Sequence, residues 1–82
     1  MNAEQSSDGA VSLVLSKAEA VVLFEWLHRV DEERLPLGIE DQAEQRVLWD
    51  ASACLERVLV EPFDADYRTI VADARAVVRD ED

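Results

Sequence analysis

Eighty-two residues are enough for one domain and too few for two separate cores. Nineteen acidic against eight basic residues give a formal charge of −11. That sign excludes direct nucleic-acid binding and attachment to anionic membranes, both of which depend on Lys and Arg, and it favours a basic protein partner.

In chain order, residues 1–10 are polar, acidic and glycine-containing, and read as a disordered tail. They hold neither a basic start nor an apolar run, so they are not a secretory signal. The longest apolar run, residues 20–24, is far too short to cross a bilayer, and the cytoplasm is the expected compartment. A single cysteine, Cys54, rules out an internal disulfide and agrees with a reducing environment. Seven Arg against only Lys17, with abundant Ala, Val and Asp, suggests a GC-rich bacterial source.

Val11-Ser12-Leu13-Val14-Leu15 alternates as a short, half-buried strand, with Val11, Leu13 and Leu15 on one face. A lone strand leaves ladder groups unpaired. Its partner is either the same strand of a second copy, giving a homodimer, or residues 35–39, where Pro36 limits pairing. The third option is an extended lead-in that lies on the helices.

Ser16 with Glu19 is a capping-box signature, and a helix is expected from there to about Arg34. Ala20, Val22, Leu23, Trp26, Leu27 and Val30 form its apolar face, with Phe24 at the edge and Glu25, His28, Arg29 and Glu32 opposite. Pro36 ends it. Asp41 with Glu44 opens a second helix to about Leu59, with Ala43, Val47, Ala51, Cys54, Leu55 and Val58 as its stripe and Leu48 and Leu59 beside it. Beyond Pro62, Asp64 should cap a third helix that buries Tyr67, Ile70, Val71, Ala74, Val77 and Val78. Residues 80–82 are acidic at a helix carboxyl end, where the macrodipole disfavours them, and should fray. The expected fold is mainly α: a single domain over residues 11–79, built as a three-helix bundle preceded by one short strand.

Catalytic chemistry is poorly provided for. There is one His, one Cys and one Lys, and neither glycine lies in a phosphate-cradling pattern. A nucleophile and its base would need Cys54 and His28 to meet, yet Cys54 falls on an apolar stripe, as a small core residue does, and His28 on a polar side. Glu25-x-x-His28, with Glu32 one turn on, has the spacing of helical di-metal sites, but one chain supplies only half a set. In so acidic a chain a solvated helix face is the simpler reading. No catalytic, cofactor-binding or metal-ligating residue is expected, and no cofactor.

Trp49 is the informative anomaly. It stands off the stripe of its helix, sharing a side with Gln42, Gln45, Arg46 and Glu56. Trp and Arg dominate binding hot spots, so this is the expected partner-binding face; packing of Trp49 into a doubly buried helix is the competing account. The composition points to a non-catalytic interaction module, an adaptor, regulator or immunity-type protein. A nucleic-acid mimic that occupies a basic cleft is the alternative, and a metal-binding dimer the weakest.

The segment Glu40-Asp41-Gln42-Ala43-Glu44-Gln45-Arg46-Val47-Leu48-Trp49, with Leu55-Glu56, Leu59-Val60-Glu61-Pro62-Phe63 and Tyr67, resembles a group of short uncharacterised bacterial proteins. The likeness spans roughly residues 11–75 and includes Leu23-Phe24-Glu25-Trp26-Leu27. It implies a free-standing small protein and carries over no activity and no site residue.

Overall fold

The computed structural model describes residues 1–33 and 38–80. The chain is mainly helical: three helices, α1 (Lys17–Glu33), α2 (Gln42–Val58) and α3 (Tyr67–Arg79), follow an antiparallel hairpin of β1 (Asn2–Gln5) and β2 (Val11–Val14). A single 3-10 turn, Glu61–Phe63, joins α2 to α3 and accommodates Pro62 near its start.

The hairpin corrects the expectation of a disordered tail over residues 1–10. Asn2, Ala3, Glu4 and Gln5 pair with Val14, Leu13, Ser12 and Val11, so the partner of β2 comes from its own chain. Of the alternative partner, residues 35–37 lie outside the described residues. The turn supplies the local reason. Gly9 takes φ +91°, where a side chain would be strained, and its N–H donates to Ser6 O at 3.0 Å. Asp8 Oδ1 accepts from Ser6 Oγ and from Ala10 N at 3.0 Å, and these bonds, the one from Ser6 foremost, hold its carboxyl below the usual range. Both strands are exposed along their whole length, including Val11 and Leu13, which were expected to be half-buried. Only Leu15, just past β2, reaches the core.

Both expected capping boxes form. At α1, Glu19 N–H donates to Ser16 Oγ at 3.1 Å and Ser16 N–H to Glu19 Oε1 at 2.8 Å. The bond from the Ser16 backbone is the main cause of a lowered Glu19 pKa. At α2, Asp41 Oδ1 accepts from Ala43 N at 2.7 Å, and Asp41 N–H donates to Glu44 Oε2 at 3.1 Å. At α3 the expectation is modified. Asp64 Oδ1 accepts from Asp66 N at 2.8 Å, shaping the approach, and the helix begins at Tyr67. Its last turn closes with Asp80 N–H donating to Ala76 O, and residues 81–82 lie outside the described residues.

α1 sits in the middle, packing most extensively on α3 and less on α2, while α2 and α3 make little contact with each other. One core cluster joins Ala20 and Phe24 to Leu59, with Leu15 and Leu55 against it. The other joins Val21 to Val71 and Ala74, flanked by Ala18, Val22, Tyr67 and Ile70. Because neighbours lie on two sides, the buried line of α1 is Ala20, Val21, Phe24 and Leu27; Trp26, expected in the core, is 39% exposed. Val77 of α3 likewise faces outward.

α2 departs furthest from expectation. It has no fully buried residue, and Leu48, Ala51, Ser52 and Leu55 are its half-buried positions. The helix is turned by roughly a quarter turn from the orientation its apolar stripe implied. Val47, Cys54 and Val58 therefore stand in solvent, which corrects the expectation of a buried Cys54.

Candidate functional site

The carboxyl-terminal half of α1 and the middle of α2 enclose a groove of about 650 Å³. The Asp41–Glu44 capping box starts α2 with its Gln45, Trp49 and Glu56 side towards this groove. From α1 come Leu27, His28, Val30 and Asp31, one broad face of a helix with 3.6 residues per turn. Ile39, just ahead of α2, and Leu48 add apolar surface.

Trp49 is the structural centre of this face. Its indole Nε1 donates to Asp31 Oδ1 at 3.0 Å, tying α2 to α1 across the groove, while the residue stays 53% exposed. The polar edge of the ring is thus satisfied within the chain, while about half of the residue remains open to solvent. A second, shallow recess also includes Trp49 and is lined by Asp41, Gln42, Ala43, Gln45 and Arg46. All five residues expected at the interaction face, Trp49, Gln42, Gln45, Arg46 and Glu56, therefore line one or the other of two depressions that share the indole as a wall.

The α1 half of the site was not expected. Asp31 read as part of a solvated helix end, and here its carboxylate anchors the indole. His28, on the polar side by periodicity, stacks its ring on Phe24 with centroids 5.9 Å apart at 14° and lines the groove. Cys54 does not line the groove, and its sulfur accepts from Arg57 Nη2 at 3.1 Å on another flank of α2. The fold thus does not bring Cys54 and His28 to one cavity. Among the described residues no group of three or more His, Cys, Asp or Glu side chains is arranged to hold a metal ion; the side chain of Glu32 lies outside them.

No protein-family model, curated protein or solved structure matches the chain.

Chemically, the groove offers an apolar floor, one face of an indole and two carboxylates, Asp31 and Glu56. Such a set suits a ligand with a cationic head on an aliphatic stem, because a guanidinium or ammonium is attracted both to the ring face and to the acids. No helix among the described residues is long and apolar enough to cross a membrane.

Proposed function

We propose that this protein is an interaction module that receives a basic segment of a partner protein in the groove beside Trp49. The observation that carries the reading is the half-exposed indole held in place by Asp31. A ring fixed before binding loses little further rotamer freedom when covered. Covering the remaining half of a tryptophan side chain is worth about 3 kcal/mol at ~25 cal/mol per Å². Asp31 and Glu56 beside it select for positive charge, and the −11 of the whole chain speeds the encounter.

The test is Trp49→Ala. Basic proteins retained from the native cell extract on the immobilised chain are isolated and titrated against both forms. Trp49→Ala should weaken binding by tenfold or more and leave a cooperative thermal transition within about 1 kcal/mol of the parent. Loss of cooperative folding would make Trp49 a core residue and remove the proposal. A nucleic-acid mimic would behave differently: carboxylates alone would carry its binding, which would survive Trp49→Ala and collapse in moderate salt.

A further inference from the structure

α2 carries an apolar flank that its own chain leaves uncovered. Val47 is 65% and Val58 72% exposed, Cys54 is exposed, and Ala51 is half-buried at the margin. These four residues are spaced 4-3-4, the repeat that places side chains along the seam between two paired helices. With Val47 and Cys54 at d and Ala51 and Val58 at a, the e positions are Leu48 and Leu55, which are half-buried on the side of α1. The g positions on the open rim are Asp50 and Arg57. The seam starts beyond Glu44, whose carboxylate is committed to the cap.

We propose that this flank is a homodimer interface, in which α2 pairs antiparallel with α2 of a second copy. The register closes on itself. Setting Val47 opposite Val58 of the second copy also sets Ala51 opposite Cys54, and both relations hold in the reverse direction, as a two-fold axis demands. In an antiparallel pair one g row faces the other, so Asp50 comes within two residues, about 3 Å of helix rise, of Arg57 on the second copy. Each copy supplies both signs, giving two ion pairs. A parallel pair would set the g row against Leu48 and Leu55, which pack towards α1, and would leave both charges unmatched.

Charge also selects the location. Two copies of a −11 chain repel each other over most of their surfaces. The open rim of this flank holds Asp50 and Arg57, one charge of each sign, so here acid does not exceed base. Within each copy, Asp50 and Arg57 form no ion pair among the described residues. The small Ala51 and Cys54 layers at the centre allow the two helices to approach closely, with the valines closing each end. A helix of 17 residues is about 25 Å long, so the contact falls at the small end of specific interfaces and the dimer should be of micromolar strength. The Trp49 groove lies on another side of α2, so each dimer would present two grooves.

Sedimentation velocity of the full chain over a concentration series tests this directly. The parent should pass from monomer to dimer, and Val58→Glu should remain monomeric throughout with an unchanged helical spectrum. Asp50→Arg and Arg57→Asp should each weaken the dimer about tenfold. An equal mixture of those two variants should recover it, because every g contact in the mixed pair is again between opposite charges. A parent that stays monomeric up to millimolar concentration would overturn the proposal. So would a dimer that tolerates Val58→Glu, or two charge variants whose mixture associates no better than either alone.

Discussion

The two flanks of α1 are packed to different standards. Towards α3 the contact is closed: Val21 is only 2% exposed and meets Val71 and Ala74, with Tyr67 and Ile70 shielding the edges. Towards α2 the contact is open. Among the described residues of this side, Leu59, just beyond the end of α2, is buried with Ala20 and Phe24, α2 itself has no buried residue, and the Trp49 groove lies between α2 and the stretch of α1 that carries Leu27. One flank is built to hold the fold and the other to leave surface available. Regions poor in buried apolar contacts are also those that open most easily, so α2 should be the less protected element.

The largest effect that sharpens this contrast belongs to Val21. Val21→Ala deletes two methylene-sized groups from the tightest point of the α1–α3 contact. It should cost about 2 kcal/mol, from roughly 0.8 kcal/mol per buried group plus a cavity term. Val47→Ala removes the same groups from an exposed position and should lie within about 0.5 kcal/mol. Urea denaturation of the two variants at low protein concentration checks the difference. Equal losses would mean that the flanks of α2 and of α1 are equally buried, contrary to the packing described above.

The next effect concerns how α2 is held. With no fully buried residue of its own, the helix leans on its capping box for definition. Asp41→Ala removes the acceptor for Ala43 N–H and should cost about 1 kcal/mol. The loss should be local. Amide exchange should accelerate through the first turns of α2 and the groove wall at Gln45 and Trp49, while α3 amides keep their protection. Uniform acceleration across all three helices would show that the open and closed flanks unfold as one unit.

How much of this was legible in the sequence follows from the range of the interactions. Capping boxes are local, so Ser16 with Glu19 and Asp41 with Glu44 could be read directly, and with them the starts of two helices. The hairpin was missed because Asn2, Ala3, Glu4 and Gln5 have little strand propensity; they pair because β2 offers an edge and the turn at Asp8-Gly9 brings them back. That Asp-Gly dipeptide, ahead of an alternating segment, was the available signal. The phase of α2 could not be read, for a different reason. Its apolar residues spread over a wide arc, from Val47, Cys54 and Val58 at one edge to Leu48, Leu55 and Leu59 at the other, and periodicity alone does not say which edge neighbours cover. That Trp49 lies outside this arc, and so off the covered side of the helix, was legible in the sequence. Its groove was not, since Asp31 is eighteen residues distant and meets it only through the packing of α1 on α2.

The smallest effect tests whether the closed flank is fully optimised. Tyr67 enters the α1–α3 contact with its hydroxyl buried; the Glu25 carboxylate of α1 lies near it, but the hydroxyl makes no hydrogen bond of ordinary geometry to any group among the described residues. Burial pushes the phenol pKa well above its ordinary value, and Glu25 on α1 pushes it further the same way, so the group stays neutral at physiological pH. A neutral hydroxyl taken from water without a new partner is a cost, of about 1 kcal/mol or somewhat more. Tyr67→Phe keeps the ring and removes the orphaned oxygen. It should therefore raise stability by about 1 kcal/mol, seen as an increase of several degrees in Tm for a domain of this size. The gain should not change between pH 6 and pH 8, because no titration of the phenol occurs in that window. A loss of stability instead would mean that the hydroxyl is satisfied in solution, by water or by Glu25, and that the α1–α3 contact is more polar than its apolar neighbours suggest.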